Sequence, residues 1–188
     1  MPHDPTILPA DLPVPEDDGA ANHLSGLAMP RVALPSTGGG TVDLSALTGA
    51  TIVYLYPRTG RPGEDLPTGW DAIPGARGCT PQSCGFRDHF AEAKAVGVDA
   101  IYGVSTQTSA YQREVRDRLA LPFELLSDER LTLAHALDLP TFQTDGMTLL
   151  KRMALVLRDG RIVKVFYPVF PPDRNAEEVI AWLRDQAA

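Results

Sequence analysis

Cys79 and Cys84 are the only two thiols in a chain of 188 residues, and they stand five positions apart in GARGCTPQSCGFRDHF, residues 75–90. A thiol reacts as its thiolate, which unpaired N–H groups and positive partial charge at a helix N-terminus favour over the thiol. Phe86, Phe90 and Ala93 are spaced as one helical stripe, and extending that phase backwards adds Ser83 and Cys79. The pattern predicts a helix that begins near Cys79 and turns that thiol toward the core. Pro81 fits the first turn, where N–H groups have no intrahelical acceptor. Cys84 lies about 140° around such a helix and about 7.5 Å along it from Cys79. The Cα atoms would then be roughly 9 Å apart, beyond the roughly 7 Å that a disulfide spans. The pair is a poor static staple, but it would serve as a redox switch if the first turns unwound. Two buried thiols without chemistry remain the plain alternative. Zinc is disfavoured, because a structural site wants four ligands and the four histidines lack ligand spacing. A C-x-x-C pair is absent.

Other reactive side chains carry less. His89 lies ten residues past Cys79, and His135 sits among apolar residues of LTLAHAL, so neither reads as a catalytic base. Glu16, Asp17 and Asp18 form an acidic run that reads as a solvated turn. A formal net charge of −7 argues against nucleic acid as a partner, which calls for a basic face. No apolar run approaches a membrane span, and MPHDPTILPADLPVPEDDGA lacks the basic start and apolar block of a secretory signal. The expected compartment is the cytoplasm, where structural disulfides are uncommon.

The elements that must position the thiols are legible around them. Residues 1–30 are rich in proline and acid and read as an extended or partly disordered arm, leaving 31–188 as one domain. RVALPSTGGGTVDLSAL reads as a hairpin around Gly38, Gly39 and Gly40. TIVYLYP (51–57) and VDAIYGVST (98–106) are continuous apolar runs suited to strands buried on both faces. Residues 58–75 form a long turn-rich loop containing Trp70. Thr108 or Ser109 caps a helix bearing Tyr111, Val115 and Leu119. FELLSD (123–128) reads as a strand and LTLAHAL as a short helix. MALVL and RIVKVFYPV flank Asp159-Gly160, a hairpin signal. Asn175 and Glu178 open a last helix with Val179 and Trp182. The order β-β-α-β-α-β-α-β-β-α implies an α/β mixed sheet with helices on both faces.

GCTPQSCGFRD, following a strand that ends in Tyr56-Pro57, resembles the active site of peroxiredoxins, and its C-x4-C spacing that of the Q type, also called bacterioferritin comigratory proteins. VDAIYGVST, LPFELLSDE and LKRMALVLRDGRIVKVF follow in that family's order, so the resemblance covers roughly residues 31–188. It implies a thioredoxin-like fold with Cys79 as peroxidatic thiol, Cys84 as resolving thiol and Arg152 completing the site. It further implies a peroxidase that reduces hydrogen peroxide and alkyl hydroperoxides through an intrachain Cys79–Cys84 disulfide; with no cysteine left over for an intersubunit bond, a monomer is expected. A thioredoxin- or glutaredoxin-like partner would reduce that bond, with no metal, flavin or haem. The rivals are a thiol–disulfide oxidoreductase acting on proteins and a non-catalytic thioredoxin-fold binding module. One departure stands out. The family pattern is P-x-x-x-T-x-x-C, whereas Ala76 stands here three residues before Cys79 and Pro57 stands twenty-two before it, which inserts fifteen residues. Thr59, Thr68 and backbone N–H groups are the candidates for the missing threonine's role, and Trp70 is expected at the rim of the pocket.

Overall fold

The computed structural model describes residue 4 and residues 6–187. A short hairpin of β1 (Ala33–Pro35) and β2 (Thr41–Asp43) precedes β3 (Ala50–Leu55), every residue of which is buried. After a long loop come α1 (Cys79–Asp88), α2 (Phe90–Ala95), β4 (Val98–Ser105), α3 (Ser109–Arg118), β5 (Glu124–Ser127) and α4 (Thr132–Leu137). A second hairpin, β6 (Thr141–Thr144) and β7 (Met147–Leu150), leads to β8 (Met153–Arg158), β9 (Arg161–Phe166) and α5 (Asn175–Ala187).

The main sheet has the order β5-β4-β3-β8-β9. β3, β4 and β5 run parallel, while β8 and β9 add in antiparallel fashion on the other side of β3. Alternation along β3 sends its side chains to two cores. Ile52 and Tyr54 join Phe86 of α1, Val115 of α3 and Val179 of α5 on one face. Val53 and Leu55 join Leu133 and Leu137 of α4 on the other, together with Leu24 and Leu44. This is the thioredoxin-like α/β arrangement expected, with a mixed central sheet, flanking helices and an N-terminal hairpin. Within residues 1–30, Ala21, Leu24 and Met29 are buried, and Ala28 bridges to Arg161.

Two local features differ from the sequence reading. The helix after Cys79 is not continuous through Ala93, because it breaks at His89. There the imidazole Nδ1 lies 2.9 Å from the Gly85 carbonyl, which the His89 amide also approaches at 3.1 Å. The stripe survives the break: Ser83, Phe86 and Ala93 are buried and Phe90 packs against the same core. The β6–β7 hairpin, absent from the sequence reading, turns at Asp145 and Gly146, both at positive φ (46° and 74°).

Candidate active site

The chain enters α1 through Gly78, whose φ of 103° lies in the region open chiefly to glycine. A Cβ there would also run into Pro172 and Leu8. Cys79 is the first residue of α1 and is only 3% exposed. Its Sγ receives two donors from distant parts of the chain: the backbone N–H of Arg58 at 3.4 Å and Nη2 of Arg152 at 3.2 Å. The Ala76 carbonyl lies 3.6 Å from the same sulfur.

Arg152 stands in the connection between β7 and β8 and is also 3% exposed. Besides the sulfur, its Nη2 donates to the carbonyls of Ala76 (3.1 Å) and Arg77 (3.0 Å). Its Nη1 donates to Oε1 of Gln82 at 2.5 Å, and Gln82 in turn donates from Nε2 to Oδ1 of Asn175 at 2.9 Å. None of these partners is a carboxylate. A buried guanidinium held by neutral acceptors lacks a counter-charge. The remaining group that its Nη2 meets is the Cys79 sulfur.

Cys84 lies one and a half turns further along α1, and both cysteines are free thiols. Cys84 is half-buried; burial pushes its thiol up from the ordinary range, and Arg87 draws it part of the way back. Beneath the two thiols, Tyr54 stacks on Phe86 with ring centroids 4.7 Å apart and donates to Ser83 at 3.0 Å, so this face of α1 is anchored on β3.

The long loop folds back over Cys79 and leaves a cavity of about 10 Å³ above it, lined by Arg58, Leu66, Trp70, Arg77 and Thr80. Trp70 is 3% exposed and packs with Ala76 of the loop and Leu149 of β7. It thus stands at the rim where the sequence reading put it. The loop is pinned along its length. Thr59 bonds Gln107 through both N–H and Oγ1, and the Thr68 N–H donates to Asp145 of the β6–β7 turn at 2.9 Å. The Thr59 hydroxyl is therefore engaged away from the sulfur. Thr80 also lines the cavity, and its buried hydroxyl has no hydrogen-bond partner among the described residues. No group of three or more His, Cys, Asp or Glu able to hold a metal occurs among the described residues, and no helix there is long and apolar enough to cross a membrane.

The structure brings Cys79 and Arg152 into contact and places Cys84 on the same helix. Sequence reasoning misses Gln82 and Thr80, and it counts backbone N–H groups among its candidates without singling out that of Arg58. Gln82 lies between the two cysteines, but only the fold shows that it faces Arg152. The Arg58 amide carries no side-chain signal at all.

Comparison with known proteins agrees with this geometry. The Redoxin family profile matches residues 24–180. A putative chloroplastic peroxiredoxin Q of Oryza sativa subsp. indica is 31% identical over 161 residues, which cover 85% of this chain; the chain spans 66% of that relative's length. Peroxiredoxin Bcp of Escherichia coli (strain K12) is 29% identical over 168 residues, covering 87% of this chain and 97% of the relative. Among solved structures, peroxidoxin BcpB of Mycobacterium tuberculosis superposes with a TM-score of 0.67 at 25% identity, over 86% of this chain and 96% of that one. With a matching profile over most of its length, the chain belongs to the redoxin family, and it closely matches peroxiredoxins of the Q, or Bcp, type in both sequence and architecture.

Proposed function

We propose that the protein is a thiol-dependent peroxidase in which Cys79 is the peroxidatic and Cys84 the resolving thiol. The observation that carries this reading is the buried Arg152 guanidinium, 3.2 Å from Cys79 Sγ and bonded otherwise only to neutral acceptors. The Cys79 thiolate attacks one oxygen of a hydroperoxide; an S–O bond forms and the O–O bond breaks. The sulfur is oxidised to a sulfenic acid, and the leaving oxygen departs as alkoxide or hydroxide, which takes up a proton to become an alcohol or water. Charge develops on that leaving oxygen, and fixed donors around it lower the barrier. Arg152 and the Arg58 amide are such donors.

Cys84 then condenses with the sulfenic acid, expelling water and forming an intrachain disulfide. Both thiols belong to one helix, so this step requires the first turns of α1 to open and needs no second subunit. A dithiol partner of thioredoxin or glutaredoxin type regenerates both thiols and is itself oxidised to a disulfide. A reading as an oxidoreductase for protein disulfides is less well supported, since the first thiol is buried under the loop and cannot meet a protein surface directly.

Peroxide consumption coupled to a thioredoxin system tests the assignment. Cys79→Ser should abolish turnover, because a serine hydroxyl is not appreciably ionised at neutral pH. Cys84→Ser should consume one equivalent of peroxide and accumulate a sulfenic acid that can be trapped. If Cys84→Ser consumed the first equivalent no faster than Cys79→Ser, the roles would be wrong.

A further inference from the structure

The space above Cys79 is far smaller than its neighbours. The cavity at the thiol holds about 10 Å³, close to the minimum for a single water. Two larger cavities flank it, of about 370 Å³ on the Arg58 side and about 420 Å³ on the Arg152 side, and Cys79 lines neither. Leu66 and Trp70 of the long loop line this cavity together with Cys79. Trp70 is held in a small apolar cluster with Ala76 and Leu149, against which Leu66 and Phe142 also pack. The loop is tied to two other elements and to itself. Arg118 of α3 donates to the Gly60 carbonyl at 3.1 Å, Asp145 of the β6–β7 turn holds the Thr68 amide, and Arg77 pairs with Asp71 at 2.9 Å beside the Trp70 turn.

We propose that this site is selective for the smallest hydroperoxides, hydrogen peroxide above all, and that Leu66 and Trp70 are specificity-determining residues that exclude bulky alkyl hydroperoxides. The inference rests on the peroxidase reading above and narrows its substrate class. A hydroperoxide must bring its O–O bond into line with Sγ, with one oxygen in contact with the sulfur. Hydrogen peroxide is only two oxygens in size and asks for a slight widening of the cavity. A branched or aromatic tail on the second oxygen needs more room than this cavity offers, and Leu66 and Trp70 are the large apolar side chains that line it. Cys79 is not among the residues that line either large cavity. Arg58, which lines the 370 Å³ cavity, has its Nη1 3.3 Å from Met147 Sδ. Arg152, which lines the 420 Å³ cavity, is tied to the carbonyls of Ala76 and Arg77.

The test measures Cys79 oxidation in the Cys84→Ser protein, with the sulfenic acid trapped and counted by mass spectrometry. Hydrogen peroxide, tert-butyl hydroperoxide and cumene hydroperoxide are compared, each rate being divided by that of the same peroxide with free cysteine. The normalised rate should fall with peroxide size, by about tenfold or more from hydrogen peroxide to cumene hydroperoxide. In Leu66→Ala and in Trp70→Ala that ratio should shrink by about threefold or more. Leu66 is only partly buried, so its variant tests the gate even if loss of Trp70 disturbs the loop. Equal normalised rates in the parent protein, or an unchanged ratio in Leu66→Ala, would overturn the selectivity. Failure of every peroxide to oxidise Cys79 would instead overturn the peroxidase reading, and the selectivity with it.

Discussion

At the scale of single residues, the unusual feature is a cation whose charge is left for the sulfur. Arg152 is bonded to Gln82 and to two carbonyls, none of which neutralises it. If that uncompensated charge drives the oxidation step, it can be withdrawn in two ways. Arg152→Gln removes it and should slow Cys79 oxidation by about a hundredfold, as loss of a fixed donor at a developing charge does elsewhere. Arg152→Lys should recover only part of the rate, because a point charge lacks the planar fork that reaches Gln82 and the sulfur together. Gln82→Glu is the sharper probe. It keeps an oxygen acceptor for Nη1 but adds a carboxylate there, and the Asn175 amide, whose Nδ2 has no hydrogen-bond partner, can turn to donate to the new group. The fold should survive while Cys79 oxidation slows by about tenfold, the order expected for a charge-assisted bond diverted from the sulfur. Stopped-flow oxidation with matched thermal melts checks both variants. An unaltered rate in Gln82→Glu would reduce Gln82 to a structural bond.

At the scale of elements, α1 must be stable when reduced and must open when Cys79 is oxidised, and Cys84 links that opening to pH. Burial holds the Cys84 thiol above its ordinary range, whereas an unwound α1 would return it toward about 8.5. Between those two values the wound helix binds more protons than the unwound one. The stabilisation of the wound state by the protonated thiol is therefore complete below about pH 8.5 and is lost as pH rises above it. Hydrogen exchange of amides 79–85 in the reduced protein, corrected for intrinsic base catalysis, should thus accelerate above that pH. The acceleration should vanish in Cys84→Ser. The same pH dependence in both proteins would disconnect Cys84 from the opening. After one peroxide turnover these amides should lose protection altogether, and equal protection in the reduced and disulfide forms would contradict the switch.

How far these elements could be read beforehand depended on where their signals lie. The buried strands, the Thr108 cap of α3 and the stripe on Cys79, Ser83 and Phe86 are local patterns, and the fold follows them. The Asp159-Gly160 turn was read correctly. The same dipeptide type at Asp145-Gly146 was passed over, because TFQT and MTLL alternate weakly and lie outside the main sheet. That hairpin proves central to the site, since it supplies Leu149, Phe142 and Met147 to the loop over the thiol. The contacts of Gln82 and the Arg58 amide join segments distant in sequence, and no spacing rule encodes them.

At the scale of the whole molecule, both ends of the chain converge on the start of α1. From the N-terminal side, the Ile7 carbonyl accepts from Arg77 at 3.4 Å, Leu8 lies against Gly78 and Pro15 against Gly75. Asp18 ties this arm down, accepting from Lys151 at 2.5 Å and from Tyr167 at 2.7 Å, and these donors hold its carboxyl well below the usual carboxylate range. From the C-terminal side, Pro172 meets Gly78, and the Asp173 backbone lies so close to Gly85 that a Cβ there would be 3.3 Å from its carbonyl oxygen. The turn that must unwind to join Cys79 to Cys84 is therefore clamped between the two ends. Arg152 and the Arg58 amide bond the sulfur directly, and the hydrogen bonds of Arg152 go to Gln82, Ala76, Arg77 and Cys79 rather than to the arm. Removing residues 1–18 should accordingly leave the first oxidation of Cys79 close to its original rate. Disulfide formation, by contrast, should quicken by about threefold to tenfold, the equivalent of about 1 kcal/mol less to open the turn. The melting temperature should fall by a few degrees at most, about 2–4 °C for each kcal/mol in a domain of this size. Tryptophan emission can follow both steps, with Trp70 at the cavity as reporter and Trp182, stacked edge-on to Phe166 on α5, as the silent control. If the truncated protein formed its disulfide no faster than the full chain, the arm would be covering α1 without restraining it.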